Sequence, residues 1–190
     1  VARGTSFLKD RLGEKIAADG LNFIDDPLRS RGMGSRPFDA EGCPVQTRKM
    51  VEDGVLNGWF LDLASAAKLG LTSMGNAKRS LGSAPNPGSS NFYLENGEID
   101  LDDLIADIKD GFFVTELIGS SVDMITGDYS RGAGGFWISN GKIAQPISEA
   151  TIAGNLKDMF LAVTRANDID MRKSIASPSL RVDGMTVAGS

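Results

Sequence analysis

The sequence predicts an α+β fold in which mostly antiparallel strands form a barrel-like core and a few amphipathic helices pack on them. Two observations lead to this prediction. Asp53-Gly54 and Asn140-Gly141 each separate two strand-like runs, and such dipeptides are the strongest short-range signal for a β-hairpin. Apolar residues also recur at helical spacing after Asp100 and after Asn155, which predicts short amphipathic helices.

In the first part of the chain, apolar residues four positions apart predict a helix over residues 5–17. A short strand is expected over residues 21–24. The proline- and arginine-rich segment 25–37 is predicted to be irregular, with Asp25 in a turn where acids are solvated. The runs 45–51 and 55–61 then form the hairpin around Asp53-Gly54.

Residues 65–69 read as a helix that Gly70 ends, in the place where a left-handed C-terminal cap belongs. Residues 72–90 are rich in Ser, Gly, Asn and Pro, and their length indicates a functional or mobile loop. A strand over residues 92–94 follows, and Asn96-Gly97 is expected to form the turn after it.

Asp100 is predicted to cap a helix that Gly111 ends, before a buried strand over residues 112–118. Asn155 opens a second helix, and residues 179–182 and 185–188 are the last two strands.

Residues 101–105 and 156–160 repeat one spacing of apolar side chains. This similarity predicts an internal duplication of a helix-plus-strands unit.

Composition excludes several classes of protein. The 190 residues are 41% apolar and 24% charged, which is typical of one globular domain over residues 1–190. No apolar run approaches the roughly 20 residues of a membrane span, so no membrane partner is expected. A net charge of −5 argues against nucleic-acid binding. One cysteine fits a reducing compartment, and we expect a cytoplasmic protein.

The sequence has no histidine, the commonest zinc ligand and general base. Other catalytic motifs are absent or incomplete. Ser65-Ala-Ala-Lys68 matches a serine–lysine nucleophile pattern without its companion elements. Ile143 stands where a phosphate loop needs Ser or Thr, and the Asn140-Gly141 turn explains the same stretch. No catalytic residue and no metal ligand is predicted.

The glycine-rich stretch around residues 127–132 is the candidate functional surface. Asp128, Tyr129, Ser130 and Arg131 are poor core material between glycines, and we expect them to meet a partner or a peptide. The alternative is a turn in which any mutational effect is a loss of stability. The aromatic residues expected at an apolar contact are Phe136, Trp137 and Trp59.

The run Thr126-Gly-Asp-Tyr-Ser-Arg-Gly-Ala, with Gly135-Phe-Trp and Ala153-Gly-Asn-Leu-Lys-Asp158, resembles the C-terminal region of the TldD/PmbA family, also called modulator of DNA gyrase. Further short matches occur in order from Arg3 to Gly189. In this family, TldD-type subunits carry a His-Glu-x-x-x-His helix and a cysteine near the C-terminus, whereas PmbA (TldE)-type subunits lack them. Residues 167–179 contain no cysteine, so the chain resembles the C-terminal domain of a PmbA/TldE-like subunit whose N-terminal part is missing.

The resemblance implies the non-catalytic half of a heterodimer with a TldD-type zinc protease. That pair would mature peptides and degrade unfolded ones, with zinc only in the TldD-type partner. Self-association and peptide binding along sheet edges are further expectations. Two alternatives stay open at this point. One is a DNA gyrase-modulating or nucleic-acid-associated module, and the other is a metalloprotease whose ligands lie upstream of Val1.

Overall fold

The computed structural model describes residues 1–189, which fall into two compact units. The first unit comprises Val1–Lys15, Asp19–Glu95 and Ile169–Pro178. The second comprises Ile16–Ala18, Asn96–Asp168 and the chain from Ser179 onward. That they form the single domain predicted over residues 1–190 stays a prediction. No helix of residues 1–189 is long and apolar enough to cross a membrane.

The first unit is built on a five-stranded sheet in which only one pair of neighbouring strands is parallel, β6 with β11. Its strands, in spatial order, are β11 (Ile175–Ala176), β6 (Phe92–Leu94), β1 (Phe23–Asp25), β2 (Arg48–Glu52) and β3 (Val55–Leu56). A separate pair of short strands, β4 (Ala77–Lys78) and β5 (Asn86–Pro87), lies within the predicted long loop.

Two predicted features of this unit are confirmed by their backbone geometry. Asp53 and Gly54 have φ values of 49° and 76°, as a tight hairpin turn between β2 and β3 requires. The helix α1 (Leu63–Leu69) ends at Gly70 with φ 67°. It begins earlier than predicted because Asp62 caps it: the Asp62 carboxylate accepts from the Ser65 N–H at 2.8 Å.

The prediction of a helix over residues 5–17 is wrong. The segment forms successive turns, in which Lys9 N–H donates to the Ser6 carbonyl and Arg11 N–H to the Leu8 carbonyl. Gly13 has a φ of 80°, which no right-handed helix accommodates. Its N–H donates instead to the Leu56 carbonyl at 2.8 Å, so the segment lies beside β3.

Asp25 is not a solvated turn residue as predicted, because it ends β1 and is only 2% exposed. Its Oδ1 accepts from the N–H of Ser90 at 2.6 Å and from the Ser90 hydroxyl at 2.8 Å. Its Oδ2 accepts from Asn76 Nδ2 at 3.2 Å, while Asn76 Oδ1 is buried without a partner. The side chain therefore fastens both ends of the long loop to the sheet.

A second buried carboxylate, Asp39, is 3% exposed and binds three backbone N–H groups. Its Oδ1 accepts from Glu41 and Cys43, each at 2.9 Å, and its Oδ2 accepts from Ala77 at 3.0 Å. The carboxylate thus satisfies three main-chain donors that come from two separate parts of the chain.

The surroundings of the two carboxylates shift their pKa values in opposite directions. Burial raises the pKa of Asp25, and the hydrogen bonds from Ser90 and the charges of Arg36 and Lys78 only partly oppose this. Burial also acts to raise the pKa of Asp39, but the N–H donors of Ala77, Cys43 and Glu41 outweigh it and lower the pKa. Asp39 is thus the carboxylate that stabilises the fold in its charged form.

The second unit is built on a four-stranded antiparallel sheet. Its strands, in spatial order, are β13 (Thr186–Gly189), β9 (Lys142–Asn155), β8 (Asp128–Ser139) and β7 (Asp110–Val122). A two-stranded pair, β10 (Val163–Arg165) with β12 (Leu180–Val182), and the helices α2 (Leu101–Ile105) and α3 (Leu156–Leu161) complete it. Its buried side chains include Leu104, Ala133, Ile138, Ala150 and Ile152.

Turn and cap predictions in this unit are confirmed in part. Asn140 and Gly141 have φ values of 50° and 74° and join β8 to β9. Asn155 caps α3 by accepting from the Lys157 N–H. Asp100 precedes α2 but makes no side-chain cap, because its Oδ1 accepts from Asn167 instead. The prediction that Gly111 ends this helix is wrong, since Gly111 lies inside β7.

The α+β class with mostly antiparallel strands is confirmed. The prediction of a barrel-like core is wrong in one respect, because no sheet of residues 1–189 closes into a barrel. Residues 101–105 and 156–160 both fall in helices, but α2 leads to the 13-residue β7 and α3 to the 3-residue β10. The internal duplication stays a prediction.

We expect Asp39→Asn to destabilise the chain far more than Asp25→Asn. At position 39 an amide would point its NH₂ group at a buried N–H donor, a loss of about 1–3 kcal/mol in the free energy of unfolding. At position 25 the new NH₂ group can donate to the Oδ1 of Asn76 once that amide turns over, so the loss should stay below about 1 kcal/mol. Urea denaturation followed by tryptophan fluorescence at pH 7 measures both.

The difference between the parent chain and Asp39→Asn should also depend on pH. A lowered folded-state pKa gives stability that is complete above the unfolded pKa of about 3.9 and disappears as the pH falls through the folded value. The difference should therefore be constant between pH 7 and pH 5 and shrink below about pH 4. Equal losses for the two variants at pH 7 would contradict this account of the loops.

Candidate functional site

The residues predicted to form a loop at 127–132 lie instead at the start of β8, apart from Gly127, which ends the turn that precedes it. Because side chains alternate along a strand, Asp128 and Ser130 point to one face, where they are exposed. Tyr129 and Arg131 point to the other face and are half-buried. The four residues therefore do not form one surface. They lie in two separate environments, one on each face of the sheet.

Asp128 ties the β7–β8 turn to the start of α3. Its carboxylate accepts from Thr126 Oγ1 at 2.7 Å and from Asn155 Nδ2 at 3.0 Å. Asn155 also caps α3 through its other side-chain atom. The hydrogen bonds from Thr126 and Asn155 lower the pKa of Asp128. This arrangement supports a structural role for Asp128.

Arg131 lies opposite Ile152 of β9, on the same face as the buried Ala133 and Ala150. Its Nε is buried and has no hydrogen-bond partner. Arg131 and Asp128 form no ion pair, and their side chains leave opposite faces of the strand. The prediction that these two residues act together as one contact is not supported by this geometry.

The aromatic candidates occupy the other half of β8 or a different unit. Phe136 is 37% exposed and pairs with Phe113 and Pro146, whereas Trp137 is half-buried on the opposite face and pairs with Phe112. Trp59 belongs to the first unit, where it lines a cleft. The structure places six of the seven predicted residues on one strand of the second unit, and Trp59 belongs to the first unit.

The glycines of β8 let the side chains of β7 fold over the exposed face of the sheet. A Cβ atom at Gly132 would lie 3.3 Å from Ile118 Cβ, and one at Gly134 would lie 2.6 Å from Glu116 Oε1. The Glu116 carboxylate therefore covers Gly134, and Ile118 lies close beside Gly132.

The buried strand predicted over residues 112–118 is instead an edge strand. β7 hydrogen-bonds to β8 on one side, and no other strand of residues 1–189 pairs with it. Its 13 residues contain no proline, lysine or arginine, the residues that usually protect an edge from further pairing. Two register shifts interrupt its pairing, between Val114 and Glu116 and between Ile118 and Ser121.

β9 differs from β7 in the residues along its open edge. Its first eight residues, 142–149, extend beyond β13 and also form an edge. That edge contains Lys142 and Pro146, and Pro146 has no N–H to donate to an added strand. The open edge of β9 thus carries both a lysine and a proline, whereas the edge of β7 carries neither and is interrupted only by its two register shifts and by the acids Asp110 and Glu116.

The end of the β7–β8 hairpin carries apolar side chains that face solvent. Leu117 is 43% exposed, Ile118 57%, Met124 53% and Ile125 63%. Leu117, opposite Ala133, and Ile118, opposite Gly132, lie on the two faces of β7 and flank its edge. We call these four residues and the outer edge of β7 the hairpin surface. A group of exposed large apolar side chains next to an open edge without proline or lysine is typical of a protein contact rather than of a surface that stays in water.

The side chains of this chain do not fit a zinc site. There is no histidine in the sequence, and no group of three or more Cys, Asp or Glu residues within 1–189 is arranged to hold a metal. Cys43 is half-buried, and burial together with the charges of Asp39 and Glu41 raises its pKa, which disfavours the thiolate that binds metals. No step of a reaction is assigned to zinc in this chain.

Comparison with known proteins agrees with the resemblance found in the sequence. The family described as the PmbA/TldA metallopeptidase C-terminal domain matches residues 1–189. Metalloprotease PmbA from Escherichia coli O157:H7 is 42% identical over all 190 residues, which cover 40% of that protein. A metalloprotease TldD homolog from Buchnera aphidicola is 28% identical, covering 98% of the chain and 42% of the relative.

Solved structures give the same result for the fold. A Bacteroides thetaiotaomicron protein named as a candidate modulator of DNA gyrase superposes with a TM-score of 0.87 at 36% identity, covering 100% of this chain and 41% of the other. TldE from Thermococcus kodakarensis superposes with a TM-score of 0.86 at 25% identity, covering 100% of this chain and 46% of the other. The chain spans about 40% of the length of the curated relatives it matches. It therefore belongs to the PmbA/TldD metallopeptidase family, as the C-terminal domain of such a protein.

Proposed function

We propose that this domain belongs to a non-catalytic, TldE-like subunit that associates with a TldD-type zinc protease in the cytoplasm, and that the pair matures peptides and degrades unfolded ones. The hairpin surface is the observation that carries the proposal. It combines an unpaired strand edge with four exposed apolar side chains. Such an edge can pair with a strand of another protein, and the apolar side chains gain from being removed from water.

The assignment to the non-catalytic subunit is supported by the similarity pattern and by the side chains present. PmbA-type relatives are 38–42% identical to the chain, and TldD-type relatives 27–28%. Residues 167–179, where the resemblance places the cysteine of TldD-type subunits, contain no cysteine. On this proposal zinc is held by the partner, and this domain contributes binding surface.

A DNA gyrase-modulating or nucleic-acid-associated role is the second candidate, because one structural relative is named for it. The net charge of −5 opposes it, since binding to nucleic acid depends mainly on a basic face. A shift of labelled DNA that weakens steeply with added salt would favour this candidate.

Replacement of Ile118 by Glu should weaken binding to a TldD-type subunit at least tenfold, or about 1.4 kcal/mol. The charge would have to be buried in the contact, whereas in the isolated chain it stays in water and should change stability by no more than about 0.5 kcal/mol. Isothermal titration calorimetry with the TldD-type subunit of the same organism measures the binding, and thermal unfolding checks the stability.

Ile143→Glu is the matched control. Ile143 is 50% exposed against 57% for Ile118, and it lies in the same sheet near the opposite, Asn140-Gly141 end. It should leave the affinity for the partner unchanged. Unchanged affinity for Ile118→Glu, or an equal loss for both variants, would exclude the hairpin surface as the contact.

We also expect the purified chain to hold no zinc after washing with a chelator. Elemental analysis by mass spectrometry should find less than about 0.1 zinc per chain, because too few ligands of the kind zinc prefers are present. One zinc per chain would contradict the assignment to the non-catalytic subunit.

A further inference from the structure

The cleft that contains Trp59 lies in the first unit and is not accounted for by the contact proposed above. It is an open depression of about 250 Å³. Ligand pockets for drug-sized molecules have volumes of about 300–1,000 Å³, so this cleft is the size of one large side chain and the main chain next to it. Most of its lining is apolar: Leu12, Met50, Trp59, Leu61, Leu71 and Met74.

Parts of the chain that are far apart in sequence hold the walls in place. Leu12 is carried by the turn segment that lies beside β3, fixed by the hydrogen bond from the Gly13 N–H to Leu56. On the other side, Ser73 Oγ donates to the Leu61 carbonyl at 3.1 Å, which closes the segment that bears Leu71 and Met74. Leu12 is 46% exposed, Leu71 43% and Met74 36%, so the apolar rim faces solvent in this chain.

Two cationic side chains stand at this cleft, and only one is available to a ligand. Lys49 Nζ lies 2.9 Å from Glu52 and is paired. Arg48 is half-buried and has no carboxylate in ion-pair contact among residues 1–189. Its Nη2 donates to the Met74 carbonyl at 2.6 Å, and once the Gln46 amide is turned over, the Gln46 oxygen accepts from Nη2 at 3.1 Å and from Nε at 3.3 Å. Burial lowers the pKa of the guanidinium, and the charge of Asp25, which lies opposite Arg48 in the β1–β2 pair, opposes this. Nη1 is the part of the guanidinium that can donate to a ligand.

A half-buried arginine beside apolar walls, with a free Nη1 and no carboxylate in ion-pair contact, is an arrangement that recognises a carboxylate next to an apolar group. We propose that this cleft binds the C-terminus of a peptide whose last residue is large and apolar. The last side chain would lie against Trp59 and Leu61, and the terminal carboxylate would accept from Arg48. This rests on the proposed role in peptide processing and names the class of peptide end that the domain selects.

The test is peptide binding to the 190-residue chain, which needs neither a partner nor hydrolysis. The sequence has two tryptophans, so Trp137→Phe leaves Trp59 as the one fluorescent reporter. In that background, acetyl-Ala-Ala-Leu with a free carboxylate should change Trp59 fluorescence and bind at least about tenfold more tightly than the same peptide with a C-terminal amide. Acetyl-Ala-Ala-Ala should bind about tenfold more weakly than the leucine peptide, because it buries fewer methylene groups.

Arg48→Gln should reduce the preference for the free carboxylate to within about twofold, while the leucine peptide still binds more tightly than the alanine peptide. Arg79→Gln is the matched control. Arg79 also donates to a single backbone carbonyl, that of Ser83 at 3.0 Å, and it does not line the cleft. It should keep the full preference.

Equal binding of acid and amide, or an undiminished preference in Arg48→Gln, would overturn the proposal. So would the absence of saturable binding up to about 10 mM peptide, well above a millimolar dissociation constant. None of these results would alter the Ile118 and Ile143 comparison, so failure of this inference is separable from failure of the proposed function.

Discussion

The rest of the structure depends on one constraint, which is that main-chain N–H and C=O groups away from water need partners. In the first unit the strands are short, and two buried carboxylates accept from main-chain N–H groups. Asp39 accepts from three N–H groups, and Asp25 accepts from the Ser90 N–H and from the Asn76 side chain. In the second unit the long strands satisfy one another inside the sheet, and its edges, which include β7 and residues 142–149 of β9, stay open.

The sequence predicted the features that local chemistry decides. Asp53-Gly54, Asn140-Gly141, Gly70 and Asn155 act through their own backbone or their immediate neighbours, and all four lie where expected. The helix over residues 5–17 failed because apolar spacing alone does not register that Gly13 bonds to a strand more than 40 residues away. Asp25 was misplaced for a related reason, since its partners Asn76 and Ser90 are far along the chain.

The candidate site was predictable only in part. Residues 128–131 were identified as a group, but strand alternation divides them between two faces, and periodicity could not show this in a glycine-rich run. The status of β7 as an edge follows from strand order, which sequence spacing does not reveal. The absence of Pro, Lys and Arg from residues 110–122 was the available signal. Arg48 and Trp59 meet Leu12 and Leu71 only after folding, so nothing in their local sequence marked the cleft.

The proposed function depends most on whether the outer edge of β7 is covered by a TldD-type subunit, and amide hydrogen exchange tests this directly. In the isolated chain, outward-facing amides of residues 110–118 should exchange fast, while those of β8, which is paired on both sides, should be protected. Addition of the TldD-type subunit should slow exchange in residues 110–118 by at least about tenfold and leave β8 unchanged. If the subunit binds and exchange along β7 stays the same, the partner contacts another surface, and the proposed contact at the edge of β7 is wrong.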